Sequence, residues 1–472
     1  MKFNVKKGPF FKSKNSTHKM MLNLFIALIP IILFSFYKNG VVPYQNDKLT
    51  LYGMFYPLIF IFTGAFTSVV TETLYTYLFL KKRGKELKNA ILNSFSVFPG
   101  LFVSLVLPQN TPIELLILGS IIAIIIGKML YGGFGHNIFN PALIGCLFVL
   151  TAYSSVITQN GGWLNKYEVD TLSSATPLTN LKLVDGIGTY DTVVKPYGDL
   201  SDFLFGFIPG GLGEISSILI LISFIYLVIQ RVIKWKIPVI YVSTVFIMTF
   251  IIGSINDLGI WYPLFQILSG GLLFGAVFMA TDPVTSPTTS IGQILFGLFL
   301  GILTVTFRYL TSAPEGVLTA ILTMNMFVML LDRLGSGSSV AYKKILLPLT
   351  IGIILMLAIS FKIGNDFNKP NTGDPNFKII EKTNDYYIVS EKGNGGPIKA
   401  KLTISNKTIT NIEILENNET ESYYKHVEEA NYLNKLLNNQ SNIEDIDTVS
   451  GATISSTALK KMFINVLNDM EA

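Results

Sequence analysis

Cysteine and histidine are nearly absent from this sequence. Its 472 residues include one cysteine, Cys146, which lies in an apolar run. The three histidines, His18, His136 and His426, are far apart along the chain. A single cysteine excludes an intrachain disulfide, a cysteine-ligated iron–sulfur cluster and a Cys-type zinc site built by this chain alone. The wide spacing of the histidines argues against a histidine metal site, and no metal ligand set is predicted.

Charged residues are also scarce. They make up 14% of the chain, against 50% apolar residues, whereas a soluble globular domain carries about 25% charged residues. Each helix that spans a bilayer needs about 20 predominantly apolar residues, and such runs recur from Met20 to about Phe361. From Asn365 onward the chain is rich in Asn, Lys, Glu and Asp. The composition therefore predicts a polytopic α-helical membrane domain followed by a soluble domain of about 100 residues, enough for a core of its own.

Eleven membrane-spanning helices are predicted from the apolar runs. Their approximate bounds are 20–37, 53–80, 89–107, 112–130, 140–158, 215–231, 237–255, 262–280, 291–311, 315–331 and 345–361. Six lysines between Lys2 and Lys19 place the N-terminus in the cytoplasm by the positive-inside rule. Because no small-residue cleavage site follows the first run, it is predicted to be an uncleaved span.

The other basic clusters agree with this orientation. The predicted cytoplasmic loops contain residues 81–85 (KKRGK), residues 231–236 (RVIKWK), and Arg333 with Lys343 and Lys344. The loop 159–214, predicted outside, has three lysines against seven acidic residues. An odd number of spans places the C-terminal domain outside the cell membrane. Because the basic residues follow membrane topology, the net charge of +5 does not indicate a nucleic-acid partner.

Three clusters of glycine, proline and polar residues interrupt the predicted spans, at Asn93–Gly100, Gly132–Pro141 and Ala280–Thr289. Irregular backbone at membrane depth occurs only where protein or a water-filled cavity satisfies it. Within the third cluster, Asp282 is an ionisable residue at the end of a span, which suggests a functional site for riboflavin or for a coupling ion. The alternative is that Asp282 caps the following segment. His136, in the second cluster, is predicted to be structural.

The soluble domain is predicted to be α+β. Short β-prone runs occupy Tyr386–Glu391, Ile398–Ile404 and Thr408–Leu415, separated by turns with Gly or Asn. Two helices are predicted to follow, at about Val427–Leu437 and Ser456–Asn468. In the second, the apolar residues fall on one helical face; they are Leu459, Met462, Phe463, Val466 and Leu467.

A heptapeptide occurs twice in the chain. Residues 170–176 (DTLSSAT) and 447–453 (DTVSGAT) differ only by Leu for Val and by Ser for Gly, so five of the seven positions are identical. One copy lies in the long outer loop and the other in the soluble domain. A shared ancestral fold does not explain the match between two such different contexts. A single enzyme that recognises the peptide does.

The chemistry of the repeat suits a phosphate ester. Each copy ends in a threonine, Thr176 or Thr453, that opens a predicted helix. Backbone N–H groups and the helix dipole at such a start favour a phosphate group. Small residues before the threonine leave room for a bulky group at its hydroxyl. An ordinary Ser/Thr helix cap is the alternative for either copy alone, but it does not explain the repeat.

The second copy, followed by Ser455 and Ser456, resembles the attachment motif of covalent FMN-binding domains. Gly395-Gly396 and Glu419-Thr420 also resemble that domain, over about 377–470. The resemblance implies that a flavin transferase esterifies FMN through its phosphate to Thr453, and likewise to Thr176. The other motif residues implied in each FMN site are Asp447 and Ser450, and Asp170 and Ser173. Ser174 departs from the pattern, since glycine is commoner there.

The membrane part resembles the RnfD subunit of Rnf-type ion-pumping electron-transport complexes and the related NqrB subunit of the sodium-pumping NADH:quinone reductase. The resemblance covers about 8–335. It rests on Gly8-Pro9-Phe10 with His18, on Gly132–Ala142 (GGFGHNIFNPA), on Ser174–Leu178 (SATPL) and on Phe278–Thr288 (FMATDPVTSPT).

The whole chain is thus predicted to fuse a membrane domain (1–340), an anchor helix with linker (341–372) and an FMN-binding domain (373–472). The last is similar to the flavin domain of the RnfG subunit, although it is short for a full RnfG.

The resemblance implies a role in electron relay. Electrons from ferredoxin or NADH would pass through partner subunits to the FMN on Thr453, then to the FMN on Thr176. They would return through the membrane domain while Na⁺ or H⁺ moves outward, and the resemblance leaves a noncovalent riboflavin among the spans open. The chain lacks an input module of its own, so partner subunits are expected and no catalytic residue is assigned.

Two other functions stay open at this point. The chain could be a transmembrane flavin conduit that delivers electrons to an extracellular acceptor without ion pumping. Neighbouring genes would discriminate between the two: genes for the remaining Rnf-like subunits would favour the pump, and their absence would favour the conduit. It could also be a solute permease with an extracytoplasmic sensor domain, since broken helices suit a permeation path. The permease predicts no covalent flavin and leaves the repeated heptapeptide unexplained.

The repeat predicts two covalent flavins. The wild type, Thr176→Val, Thr453→Val and the double variant are each co-expressed with a flavin transferase, denatured, and examined for in-gel flavin fluorescence. We expect the signal to fall in each single variant and to vanish in the double, because valine lacks the hydroxyl that forms the ester. A dark wild-type band beside an active transferase would remove the repeat as evidence for flavin.

Overall fold

The computed structural model describes residues 16–160, 177–178, 181, 190–214, 216–311, 316–336, 342–367, 377–383, 385–393, 396–405, 408–417, 421–440, 443, 446–449 and 452–471. The chain divides into two compact units, Met1–Asn368 and Lys369–Ala472. The first is a helical membrane unit and the second is a small soluble unit.

The described part of the membrane unit is built from helices. In its first half they are α1 (Thr17–Phe36), α2 (Val42–Gln45), α3 (Leu51–Leu78), α4 (Gly84–Ser94), α5 (Val97–Val106), α6 (Ile113–Ile125), α7 (Pro141–Ala152), α8 (Ser154–Gln159), α9 (Tyr190–Val193) and α10 (Leu200–Phe205). In its second half they are α11 (Ser217–Ile229), α12 (Lys236–Ile255), α13 (Trp261–Leu268), α14 (Leu272–Phe274), α15 (Ser290–Leu310), α16 (Val317–Asn325), α17 (Val328–Gly335) and α18 (Tyr342–Phe367). Two π-helical turns, Tyr37–Val41 and Gly275–Met279, continue α1 and α14.

Each of the eleven predicted spans coincides with a helix or with a bent pair of helices. In the described residues, six helices are long and apolar enough to cross a membrane, and three bent pairs raise the number to nine if each pair is one crossing. The pairs are α4–α5, α13–α14 with its π-turn, and α16–α17, bent by 41°, 64° and 59°. The other two predicted spans are α7 and α11, with 12 and 13 residues, well below the usual 20 or so. The chain is therefore a multi-pass membrane protein, and a count of eleven crossings stays a prediction.

The bends occur where the backbone leaves the helical region. Phe95, between α4 and α5, has φ 53°, a left-handed conformation that is uncommon for a bulky residue and ends the helix. Gly270, between α13 and α14, has φ 66°, which glycine adopts without strain. Phe95 lies in the first of the clusters predicted to interrupt the spans, and the structure confirms that interruption. The break at Gly270 falls inside the predicted span 262–280.

Helices α3 and α5 approach each other at two facing glycines. A Cβ atom placed on Gly64 would lie 2.7 Å from the carbonyl oxygen of Gly100. A Cβ atom on Gly100 would overlap the carbonyl oxygen of Gly64 and the hydroxyl of Ser68. Small residues that allow such close backbone contact are typical of helix pairs in membranes, where association depends on packing. The α3–α5 contact thus requires glycine at both positions.

The described residues of the soluble unit form a four-stranded antiparallel sheet and three helices. The strands are β1 (Lys378–Lys382), β2 (Tyr386–Lys392), β3 (Pro397–Ser405) and β4 (Thr408–Asn417), in the order β1-β2-β3-β4. The helices are α19 (Glu421–Glu429), α20 (Tyr432–Asn438) and α21 (Thr453–Glu471). Inward-facing strand residues pack with α21 in one hydrophobic core.

The α+β prediction for this unit is confirmed, with two differences. Strand β1 was not predicted, because its sequence (KIIEK) is short and does not alternate. The single helix predicted over Val427–Leu437 is two helices, interrupted at Asn431 with φ 50°, a conformation that asparagine tolerates better than most residues. The predicted apolar face of the last helix is confirmed, since Leu459, Met462 and Phe463 are fully buried.

The facing glycines predict a specific packing defect. Gly100→Ala should destabilise the membrane unit toward the upper end of the roughly 1–3 kcal/mol that overpacking costs, because its methyl group meets backbone atoms. Gly210→Ala is the matched control, since a Cβ there meets no atom within 4 Å. Thermal unfolding in detergent compares the two variants. Equal melting temperatures for Gly100→Ala and wild type would contradict the close approach.

Candidate functional site

The second heptapeptide copy leads directly into the longest helix of the soluble unit. Thr453 is the first residue of α21, which has 19 residues, and its side chain is half-buried. Ala452, just before it, is buried, while Asp447 is exposed. The structure thus places the threonine at a helix N-terminus, where backbone N–H groups and the dipole favour a phosphate.

The attachment peptide is held in place by side chains from α21. The Ser456 hydroxyl accepts a hydrogen bond from the Val449 backbone N–H at 3.1 Å and lies 2.9 Å from the Ala452 carbonyl oxygen, to which it donates. The Lys460 ammonium donates to the Ile446 carbonyl oxygen at 2.9 Å. Because Ser456 is fully buried, these bonds fix the peptide backbone on both sides of the turn that precedes Thr453.

A buried tyrosine lies close to the same peptide. Tyr432 opens α20 and is 1% exposed. Its hydroxyl has no hydrogen-bond partner among the described residues. Burial, with the negative charge of Asp447 added, raises the pKa of the Tyr432 phenol to about 12. The phenol is therefore neutral at physiological pH and keeps its proton as a potential donor.

The first heptapeptide copy lies outside the described residues, as do its Asp170, Ser173 and Thr176. Ser450 of the second copy also lies outside them. The two residues that follow Thr176 in the chain are described: Pro177 is buried, and Leu178 is 3% exposed within the main core of the membrane unit. The chain is therefore anchored in the membrane unit directly after Thr176.

The membrane unit contains a cavity where its interrupted segments meet. Its volume is about 790 Å³, including the opening to solvent. Five phenylalanines form much of the wall: Phe95, Phe98, Phe102, Phe134 and Phe278. The polar lining residues are Ser94, Lys128, Asn137, Asn140, Thr281 and Asp282. All three predicted interruptions contribute to this one cavity, which sequence spacing could not show.

Asn325, the last residue of α16, joins the loop that contains Asn140 to the loop that contains Thr285. Its Oδ1 accepts the Asn140 backbone N–H at 3.1 Å, and its Nδ2 donates to the Thr285 carbonyl oxygen at 2.9 Å. Asn140 in turn donates from Nδ2 to the Met279 carbonyl oxygen at 3.4 Å. Asn325 is 3% exposed, so it is a buried bridge between the loops on which Asn137 and Asp282 line the cavity.

Asp332 holds the next part of the same loop. Its carboxylate accepts the backbone N–H groups of Thr288 and Thr289 at 2.9–3.0 Å and their hydroxyls at 2.8–3.0 Å. Thr289 also caps α15 by accepting the Gly292 N–H. The segment from Pro283 to Thr289 is thus fixed by charged and polar side chains rather than by regular secondary structure.

Asp282 lines the cavity and also caps its own turn. Its Oδ2 accepts the Thr285 hydroxyl at 2.9 Å, and the backbone N–H groups of Val284 and Thr285 face the carboxylate. Its side chain is half-buried. These bonds are the ones expected if Asp282 caps the segment that follows it, which was the alternative predicted from the sequence. Because Asp282 also lines the cavity, its carboxylate can contact a ligand as well. The structure therefore fits both roles.

An ion pair beside the cavity was missed in the sequence. The Lys128 ammonium lies 2.7 Å from Oε2 of Glu72 and donates to the Ser94 carbonyl oxygen at 2.7 Å, and the Ser94 hydroxyl donates to Oε1 of Glu72. Glu72 and Lys128 are 1% and 2% exposed. The only sequence signal was the presence of a charged residue inside each of two apolar runs, which marks a functional site by default.

Two other polar residues, His136 and Arg308, lie away from this cavity's lining. His136 is exposed. Arg308 is buried, and its guanidinium donates to the Gln266 carbonyl oxygen at 2.6 Å and to the Ser269 carbonyl oxygen at 3.5 Å. Arg308 therefore satisfies carbonyl groups at the end of α13 instead of extending to the membrane surface.

These features define the class: a multi-pass membrane protein with an interior cavity, joined to a small domain that presents a threonine at a helix start. The profile of the NQR2, RnfD, RnfE family matches residues 4–339, and that of the FMN-binding domain matches residues 393–468. The chain belongs to the NQR2, RnfD, RnfE family and carries an FMN-binding domain, which confirms both resemblances.

Curated relatives match the membrane part, two of them over most of their length. The D subunit of the proton-translocating ferredoxin:NAD(+) oxidoreductase complex of Clostridium ljungdahlii is 34% identical over 337 residues, 70% of this chain and 94% of the relative. The D subunit of the Na(+)-translocating ferredoxin:NAD(+) oxidoreductase complex of Acetobacterium woodii is 32% identical over 335 residues, 71% of this chain and 93% of the relative. The B subunit of the Na(+)-translocating NADH-quinone reductase of Chromohalobacter salexigens is 37% identical over 263 residues, 54% of this chain and 60% of the relative.

The Asn325 bridge predicts how the cavity is held together. Asn325→Leu leaves the Asn140 N–H and the Thr285 carbonyl oxygen without their partner, and each buried polar group left so costs about 1–3 kcal/mol. We expect a lower melting temperature and faster proteolysis of the Thr281–Thr289 loop, followed by mass spectrometry. Asn93→Leu is the control, because the side-chain bond of this exposed residue is to Asn89 of its own helix. Wild-type behaviour of Asn325→Leu would show that the bridge is dispensable.

Proposed function

We propose that this chain is a flavin-bearing membrane subunit of an ion-translocating electron-transport complex of the Rnf type. The observation that carries the proposal is that one chain contains both the family's membrane domain and an FMN-binding domain. Two of the relatives are named as subunits of ferredoxin:NAD(+) oxidoreductase complexes that translocate protons or Na⁺. Other subunits of such a complex are its proposed partners, since this chain has too few cysteines for an iron–sulfur cluster.

Two FMN groups, esterified to Thr176 and Thr453 by a flavin transferase, are the proposed covalent cofactors. An FMN linked through its phosphate supplies one- and two-electron chemistry with an unmodified ring. On the protein side, α21 presents Thr453 at its N-terminus, and Ser456 and Lys460 bond to the backbone of Val449 and Ile446 before it. Asp447 is exposed and so is accessible to the enzyme that recognises the peptide. Asp170, Ser173 and Ser450 are proposed to serve the same recognition.

A noncovalent riboflavin is the proposed ligand of the cavity. A flavin ring is a flat, largely apolar body with one polar edge, and ligand sites of this kind combine apolar walls with a few placed polar groups. The phenylalanine walls and the polar side chains of Lys128, Asn137, Asn140 and Asp282 fit that description. The chain's own contribution would be to orient the ring and to exclude water from it.

The proposed topology has eleven crossings, a cytoplasmic N-terminus and an extracytoplasmic FMN-binding domain. In this orientation the cavity lies at the cytoplasmic side, because Met20, Lys128, Val232 and Asp282 all stand at the inner ends of predicted spans. Thr176 lies in the loop on the outer side. The two proposed redox groups of the membrane unit would then face opposite sides of the membrane, as a transmembrane electron path requires.

Asp282 is the proposed residue where electron transfer and ion movement meet. It is an ionisable residue at the break of a span, lines the cavity, and belongs to a loop fixed by Asn325 and Asp332. In transporters, interrupted helices line the sites of coupling ions. The relatives are named for either protons or Na⁺, so the proposal covers a cation without choosing between the two.

The test substitution removes the charge of Asp282 and keeps the shape of its side chain. Asp282→Asn, in the assembled complex reconstituted into vesicles, should lower electron-driven ion uptake by about tenfold or more, since a lost interaction of about 1.4 kcal/mol changes an equilibrium tenfold. Covalent flavin fluorescence should stay at the wild-type level. Asp257→Asn, at an exposed acid between α12 and α13, is the matched control. Undiminished ion uptake by Asp282→Asn would refute the role of this residue, and absence of flavin from wild-type protein would refute the proposed function.

A further inference from the structure

One N–H donor of Lys128, beside the cavity, has no hydrogen-bond partner among the described residues. A lysine ammonium carries three N–H donors. One is directed to Glu72 and one to the Ser94 carbonyl oxygen, both at 2.7 Å. Lys128 has no further hydrogen-bond partner among the described residues. Its Nζ also lies over the Phe134 ring, 5.9 Å from the ring centroid. The third N–H of a 2%-exposed lysine is therefore available on the side that lines the cavity.

A purely structural role accounts for only part of this arrangement. A structural link between α3 and the residues after α6 accounts for two of the three ammonium donors, the one to Glu72 and the one to the Ser94 carbonyl oxygen. It does not explain why Lys128 lines the cavity while Glu72 does not. Leaving a buried charged donor unsatisfied costs at least as much as the roughly 1–3 kcal/mol for a neutral one. A ligand atom that accepts this hydrogen bond removes that cost.

We infer that Lys128 is a positioning and redox-tuning residue for a flavin ring bound in the cavity. Its third N–H donates to a carbonyl oxygen on the polar edge of the ring, and its positive charge favours the reduced ring over the oxidised one. This inference rests on the proposed function, because it requires that the cavity holds a flavin.

The direction of the effect follows from charge balance. A neutral flavin that gains two electrons and one proton carries one negative charge, and a nearby positive group stabilises that state. The effect is larger in a buried site than in water, because the effective dielectric constant is lower. Glu72 opposes the effect of Lys128, but unlike Lys128 it does not line the cavity. Removing Lys128 should lower the reduction potential of the ring, and removing the Glu72 charge at a pH where Lys128 keeps its proton should raise it.

The test is specific because the two substitutions are expected to shift the reduction potential in opposite directions. The full chain carrying Thr176→Val and Thr453→Val, which removes both proposed ester sites, serves as background so that any remaining flavin is noncovalent. In this background the reference protein, Lys128→Met, Glu72→Gln and the Lys128→Met/Glu72→Gln double are purified. Flavin released by acid is quantified, and the potential of the bound flavin is measured by spectroelectrochemistry. A tenfold change in the preference for the two-electron-reduced form shifts the potential by about 30 mV.

We expect bound flavin in the reference protein, a lower potential in Lys128→Met and a higher one in Glu72→Gln. If Lys128→Met does not fold, because it leaves Glu72 buried without its partner, the double variant replaces it. The double differs from Glu72→Gln only at Lys128, so its potential should fall below that of Glu72→Gln. Bound flavin whose potential does not respond to Lys128 in either comparison would overturn this inference alone. No acid-released flavin in the reference protein would overturn the flavin cavity itself, and the inference with it.

Discussion

The membrane unit depends on one constraint: inside a bilayer every backbone N–H and carbonyl group must find a partner within the protein. Continuous helices meet this constraint by themselves, but this chain interrupts several of its spans. At three of these breaks a side chain from elsewhere supplies a missing partner. Arg308 bonds to the carbonyl groups at the end of α13, Asn325 joins the loops of Asn140 and Thr285, and Asp332 bonds to the start of α15. These polar residues within apolar runs therefore replace backbone hydrogen bonds that the broken helices lose.

This arrangement also explains where the cavity forms. A helix that ends inside the protein leaves a space that its next turn would have filled, and here several such ends lie side by side. The space is lined with phenylalanine because the surrounding helices are apolar, and with Asn, Asp and Lys because the loop ends need polar partners. The same requirement thus produces flat apolar walls and a few fixed polar groups. That combination suits an aromatic cofactor with one polar edge better than it suits a water-filled solute path.

Much of this could be predicted from the sequence, and the failures have physical causes. Apolar length located the segments that became helices, and a cluster of turn residues located the interruption at Phe95, because both signals are local. Apolar length also predicts full spans at α7 and α11, where the helices have 12 and 13 residues and the apolar sequence continues past their ends. The pairing of Glu72 with Lys128 was missed because it joins residues far apart in the chain, and each alone is only a charge within an apolar run. The site residues Thr176, Ser173 and Asp170 lie outside the described residues. Thr453 was predicted to open a helix and does so, because the start of a helix is again set by local sequence.

The fusion of an FMN-binding domain to the membrane domain has a kinetic consequence. In a complex of separate subunits, an electron carrier must be held by an interface, and the affinity of that interface sets how often it is in place. Here the FMN-binding domain and the membrane domain belong to one chain, so no binding affinity is needed to keep the two together. Two groups joined by a short linker have an effective concentration of about millimolar, so covalent linkage takes the place of an interface between separate subunits.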